Sequence, residues 1–189
     1  MSLSRKLLLR MFGRPRGLLG RLGGIIMSRT NRRHAAWAIG LLDVQPDNRV
    51  LEVGCGPGAA IQILAGSAQQ TVGIDPSAEM LGQARQRNAA AIATGRIDLQ
   101  QASADRLPYA DGSFDMALAI NSMQVWPDAM AGLQEIRRVL KSGGRVALAF
   151  TVHSGQRSEG VPDTVSAAGF VDCRMVQTSA AFCVLATRR

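Results

Sequence analysis

The chain reads as an α/β domain built on a doubly wound, mainly parallel sheet. Three observations predict it. From residue 49 onward, short apolar runs alternate with longer amphipathic segments, which is the pattern of βαβ units. The first apolar run ends in a glycine-rich turn. The last two runs are separated only by Thr178-Ser179-Ala180, and strands so close in sequence can pair only as an antiparallel hairpin.

Residues 49–54 (RVLEVG) form the first expected strand, and 57–65 the helix after it, with Pro57 tolerated in a first turn that has no N–H to lose. Residues 70–75 (QTVGID) are the second strand and 76–88 the second helix. Asp75 and Pro76 suit that helix start as N-cap and first-turn proline. Residues 97–102 are a weaker third strand and 114–120 (FDMALAI) a fourth. A helix over 129–140 is capped by Ser142-Gly143-Gly144, since glycine takes the left-handed conformation cheaply. Residues 145–152 are the fifth strand, 162–168 a short helix, and 171–178 and 181–187 the closing hairpin.

With 189 residues, the chain has the length of one domain and can bury a core without metal or disulfide. Its hydrophobic share of 47% and charged share of 19% argue against disorder, and no run of about 18 apolar residues offers a membrane span. Cys55, Cys173 and Cys183 are an odd count without metal spacing, which fits a reducing cytoplasm. The net charge of +8 is uneven: the first 42 residues hold nine Lys and Arg and no acid. Residues 1–29 are therefore taken as a basic arm and 30–189 as the domain. An anionic partner is expected for the arm and not for the domain. Leu3, Leu7, Leu8, Met11 and Phe12 recur at helical spacing, away from Arg5, Lys6 and Arg10. Residues 1–28 thus suit peripheral contact with an anionic membrane surface, or a lid over a pocket. An organelle transit peptide is the remaining reading of such an arm.

The chemistry is expected at Glu52-Val53-Gly54-Cys55-Gly56-Pro57-Gly58. Glycines at alternate positions allow a tight turn and the close approach of a ligand. Asp75 follows Gly54 at about the spacing of an acidic residue that holds ribose hydroxyls. A nicotinamide dinucleotide is one reading, since the loop loosely fits G-x-G-x-x-G/A. Against it, a carboxylate at Glu52 would repel a pyrophosphate, Pro57 lacks an N–H, and no basic side chain stands nearby in sequence. A cationic ligand suits the loop better.

The stretch 50–58 resembles motif I of class I S-adenosylmethionine-dependent methyltransferases. The resemblance continues through Gly73-Ile74-Asp75-Pro76-Ser77-Ala78-Glu79-Met80-Leu81, through 104–115, and through Glu135-Ile136-Arg137-Arg138-Val139-Leu140-Lys141-Ser142-Gly143-Gly144. It is similar to the small-molecule branch that includes ubiquinone and menaquinone methyltransferases. The resemblance implies a Rossmann-like, seven-stranded sheet with one antiparallel strand, and S-adenosylmethionine as cofactor. It also implies that Glu52, Gly54, Cys55, Gly56 and Gly58 face the methionine part. Asp75 would hold the ribose, Pro76 and Met80 lie against the adenine, Ala104 and Asp105 bond its edge, and Asn121 sits beside the amino group and methyl.

After the fourth strand the sequence is Asn121-Ser122-Met123-Gln124-Val125-Trp126, where many relatives carry histidine. The catalytic candidates are then His153, Gln124 and Trp126, with Trp126 and Met123 read either as pocket lining or as core. His34 shares a helical face with Trp37 and Leu41 and is read as packing, as is Tyr109, and Cys55 as an inert small residue. The (Asn/Asp)-Pro-Pro-aromatic signature of nucleic-acid methylation is missing, so a small-molecule acceptor is expected and a nucleic acid is not. Only nine residues separate Val152 from Pro162, leaving the acceptor pocket to be closed by the arm or by a second subunit in a homodimer. The alternatives are a nicotinamide-dependent oxidoreductase, and an RNA methyltransferase or non-catalytic cofactor-binding subunit.

Overall fold

A computed structural model of the chain describes residues 32–189. The basic arm and its apolar stripe lie outside the described residues. The elements run α1 (Arg32–Leu42), β1 (Arg49–Val53), α2 (Ala59–Leu64), β2 (Gln70–Asp75), α3 (Ala78–Arg87), α4 (Ala89–Ala93), β3 (Ile97–Gln101) and β4 (Phe114–Ile120). Then come α5 (Ala129–Val139), β5 (Leu140–Thr151), α6 (Val161–Ala167), β6 (Phe170–Gln177) and β7 (Ala181–Arg188). They build one seven-stranded sheet in the order β3-β2-β1-β4-β5-β7-β6. Only β7 is antiparallel to its neighbours, and it sits one place in from the edge. The expected α/β architecture is therefore present.

The two-residue period of the strands assigns each face to its helices. Val50 of β1 joins Ala38, Ile39 and Leu42 of α1 and Leu64 of α2 on one face. Leu51 and Val53 join Leu133 and Ile136 of α5 and Val165 of α6 on the other. Leu42, Leu51, Leu64 and Leu133 are fully buried, and each such side chain contributes about 1.5–3 kcal/mol. His34, Trp37 and Leu41 lie on α1, where Trp37 and Leu41 pack against the first of these layers, as their spacing suggests.

Three helix ends differ from expectation. The helix α2 starts at Ala59 with Gly58 as its cap in the left-handed conformation (φ 76), so Pro57 precedes the cap and is not a first-turn residue. The cap of α3 is Ser77, whose hydroxyl accepts from Met80 N–H at 3.3 Å. Asp75 is therefore not the N-cap. It stands two residues earlier and is drawn into the glycine loop. Finally, α5 ends at Val139 without a glycine cap, because Leu140 turns extended (φ −71, ψ 146) and pairs with Phe114. Both are fully buried, and their burial draws the chain directly into β5. The register then moves from Phe114–Leu140 to Met116–Arg145, so Gly143 (φ 77) serves a bulge within β5.

Candidate functional site

Sheet order locates the site. From β1 the chain winds outward through β2 and β3, then returns to β4 on the other side of β1. Ligands of open α/β sheets bind at such a reversal, in the crevice at the carboxyl ends of the two central strands. Gly54–Gly58 lies above β1 and the turn 121–126 above β4, so two of the stretches singled out in the sequence converge there.

The glycine loop folds onto the end of β2. The N–H groups of Gly54 and Cys55 both donate to Ile74 O at 2.9 Å. Asp75 receives Gly56 N–H on Oδ2 at 2.9 Å and Ser77 N–H on Oδ1 at 2.8 Å. One carboxylate thereby holds the centre of the loop and the turn into α3. Gly54, Gly56 and Gly58 all have positive φ (75, 52 and 76). A Cβ on Gly54 would meet Ser122 Cβ at 2.5 Å, and one on Gly58 would meet Asn88 Nδ2 at 2.6 Å. Asn88 Nδ2 itself donates to Gly58 O at 3.2 Å and Ala84 O at 2.9 Å.

Under the loop lie two buried carboxyls. Glu52 is 3% exposed and its Oε2 has no hydrogen-bond partner among the described residues. Burial, and then the charge of Asp75, push the Glu52 carboxyl well above the usual range, against a lowering contribution from Ile61 N–H. Asp75 is raised chiefly by burial, which outweighs the N–H groups of Ser77 and Gly56. Burial and both carboxyls push the Cys55 thiol up as well, so it stays protonated and inert. Among the described residues, no ion pair reaches Glu52 or Asp75. Such a site disfavours an anion and suits a ligand with positive charge and hydroxyl donors.

The remaining candidates divide. Met80 is buried in the first turn of α3, while Pro76 is exposed beside Asp75. Ala104 is buried, and Asp105 accepts a hydrogen bond from Ser103 Oγ. Trp126 packs against Gly132, where an added Cβ would meet its ring at 2.6 Å and Ala104 Cβ at 3.4 Å. Gln124 Nε2 donates to Asn121 O at 2.8 Å. His153 is exposed on the short turn Val152–Ser154 that follows β5. Tyr109 stacks edge-on against Phe114, as a packing residue does.

Four residues of the site escaped sequence reasoning: Ser77, Asn88, Ser122 and Thr151. Ser77 had a local signal, a serine immediately before a helical run. The others act over 30 or more positions and leave no local signature. Among the described residues, no cluster of three or more His, Cys, Asp or Glu side chains could hold a metal ion, and no helix is long and apolar enough to cross a membrane.

Residues 51–148 match the family model described as a methyltransferase domain. The methyltransferase GfsG of Streptomyces halstedii is 42% identical over 115 residues, which are 60% of this chain and 41% of that protein. The ubiquinone/menaquinone biosynthesis C-methyltransferase UbiE of Geotalea daltonii is 36% identical over 121 residues, 62% of this chain and 52% of that one. The chain thus spans about half or less of the length of these relatives. A SAM-dependent methyltransferase of Aquifex aeolicus superposes with a TM-score of 0.71 at 18% identity, over 82% of this chain and 89% of that structure. With its motifs in order along one sheet and its glycine loop set at the reversal point, the chain belongs to the class I methyltransferases whose cofactor is S-adenosylmethionine.

Proposed function

We propose that the chain transfers the methyl group of S-adenosylmethionine to a small-molecule acceptor by direct displacement. The observation that carries this reading is the buried carboxyl pair Glu52 and Asp75 under the glycine loop, which no ion pair reaches among the described residues. When bound, the cofactor supplies a methyl already activated on a sulfonium. The chain's own task is to bind, align and exclude water, and alignment of this kind contributes roughly 7–11 kcal/mol to such reactions.

In this reading Glu52 and the loop Gly54–Gly58 hold the methionine part and Asp75 accepts from the ribose hydroxyls. Met80 and Pro76 flank the adenine, with Ala104 and Asp105 at its edge. Of the three catalytic candidates, only His153 has a side chain able to take up a proton, and it stands at the rim above β5. Gln124 and Trp126 are occupied in shaping the turn after β4. Val125 (49% exposed) and Val152 (64%) leave that rim apolar, which supports an uncharged organic acceptor over a polyanion. The UbiE relative, a ubiquinone/menaquinone biosynthesis C-methyltransferase, points in the same direction.

The test is to incubate the chain with methyl-labelled S-adenosylmethionine and a cell extract, then fractionate. Label in the organic-soluble small molecules is the expected result. Label in RNA would replace the small-molecule acceptor by the nucleic-acid alternative.

A further inference from the structure

The turn after β4 is fastened on both sides. Asn121 holds a left-handed backbone (φ 50), a conformation that a non-glycine residue keeps only when its surroundings over-determine it. Its Oδ1 accepts from Thr151 N–H at 2.8 Å and its Nδ2 donates to Thr151 Oγ1 at 3.1 Å. Its own N–H donates to Ala149 O at 2.9 Å. The next residue, Ser122, donates its hydroxyl to Val53 O at 2.8 Å, and that carbonyl lies directly before Gly54. Ser122 is 6% exposed and Thr151 3%. Asn121 and Ser122 therefore link the carboxyl ends of β5, β4 and β1, and Ser122 fills the space that a side chain at Gly54 would need.

We infer that Asn121 is a positioning residue and not a direct ligand of the cofactor. Its amide is spent on Thr151, and that clamp fixes the turn. Through Ser122 the turn then sets the path of the glycine loop where it leaves β1. The inference rests on the reading of that loop as the S-adenosylmethionine site. It differs from the role that the family resemblance implies for Asn121, where the residue lies beside the amino group and methyl. The chemistry of the side chain explains the choice of residue. Asparagine tolerates the left-handed region better than most residues and offers an acceptor and a donor at one position, matching the N–H and the hydroxyl of Thr151.

A double-mutant cycle on cofactor affinity tests this in the full chain. S-adenosylmethionine is titrated calorimetrically into the unaltered protein, Asn121→Gly, Thr151→Val and the double variant, with the melting temperature of each measured without cofactor. Glycine accepts the backbone angle, so the first variant removes the clamp without adding strain. Thr151→Val, which loses the hydroxyl bond alone, is expected to weaken binding roughly 5–10-fold, and Asn121→Gly, which loses both bonds to Thr151, by at least as much. The double variant should bind within about twofold of the weaker single, because both changes break the same clamp. Asn121→Asp should recover affinity to within about threefold, since its two oxygens accept from the N–H and hydroxyl of Thr151. Losses that multiply in the double variant would make Asn121 a direct ligand and overturn the inference. Lowered melting temperatures with unchanged affinity would reduce the clamp to a folding element and overturn it equally. Failure of the unaltered chain to bind S-adenosylmethionine is a different result, visible in the first titration, and overturns the cofactor reading itself.

Discussion

Replacing Asp75 by asparagine should separate ligand binding from stability. In the folded chain its carboxylate accepts Gly56 N–H at 2.9 Å and Ser77 N–H at 2.8 Å, while burial raises its pKa. The raised pKa means that the surroundings, taken together, favour the neutral form. Asparagine supplies a neutral isostere. Its oxygen keeps one of the two bonds, and its NH₂ faces the other N–H, leaving a buried donor unpaired at a cost of about 1–3 kcal/mol. Release of the desolvated charge offsets much of this, so the melting temperature should move by no more than about 4 °C for a chain of this size. Ribose hydroxyls, by contrast, lose an ionised acceptor worth about 1.5–3 kcal/mol, and affinity for S-adenosylmethionine should fall roughly 10–150-fold. Calorimetry measures the affinity and differential scanning fluorimetry the stability. Unchanged affinity would leave Asp75 as a loop fastener only. A melting temperature lower by about 10 °C or more would refute the balance of terms assumed here.

Glu52→Gln tests the buried pair. A folded pKa above the ordinary value near 4.5 gives stability that is full below that value and lost as pH rises through the raised one. The fall in melting temperature as pH rises above the ordinary carboxylate range should therefore shrink in Glu52→Gln, and an unchanged slope would count against a buried carboxyl of raised pKa. Gly54→Ala should abolish cofactor binding at micromolar concentrations, through both its φ of 75 and the clash with Ser122, whereas Cys55→Ala should bind within a few-fold of the unaltered chain; equal affinities would move the site elsewhere. Arg138→Ala removes a guanidinium that donates to Glu135, Asp111, Tyr109 O and Leu107 O. A loss of about 2 kcal/mol is expected, read as a melting temperature lower by roughly 4–8 °C with cofactor affinity retained. Of the readings of the arm, membrane contact requires that deletion of residues 1–28 remove salt-sensitive binding to anionic vesicles and spare S-adenosylmethionine affinity; vesicle binding retained after the deletion would exclude the arm.

Much of this architecture was legible because each strand announces itself locally. QTVGID and FDMALAI are bounded by turn residues, and their observed limits, Gln70–Asp75 and Phe114–Ile120, match the expected ones. What misled was local chemistry that tertiary contacts override. Ser142-Gly143-Gly144 has the composition of a helix cap, but burial of Leu140 against Phe114 ends the helix at Val139, before these glycines can cap it. Asp75-Pro76 has the composition of a helix start, yet the carboxylate is used by Gly56, nineteen positions back in the chain. The glycine loop and Asp75 could be found because their spacing along the sequence reflects a single βαβ unit. The Asn121–Thr151 and Ser122–Val53 links could not, because each joins strands that become neighbours only when the sheet order is known.

The central claim is that the glycine loop receives a cationic sulfonium cofactor and not an anionic dinucleotide. Parallel calorimetric titrations of the full chain with S-adenosylmethionine and with NADH test it most directly. Saturable binding of S-adenosylmethionine with a stoichiometry near one, lost in Gly54→Ala, and no heat from NADH is the predicted result. Binding of NADH in place of S-adenosylmethionine would contradict the account.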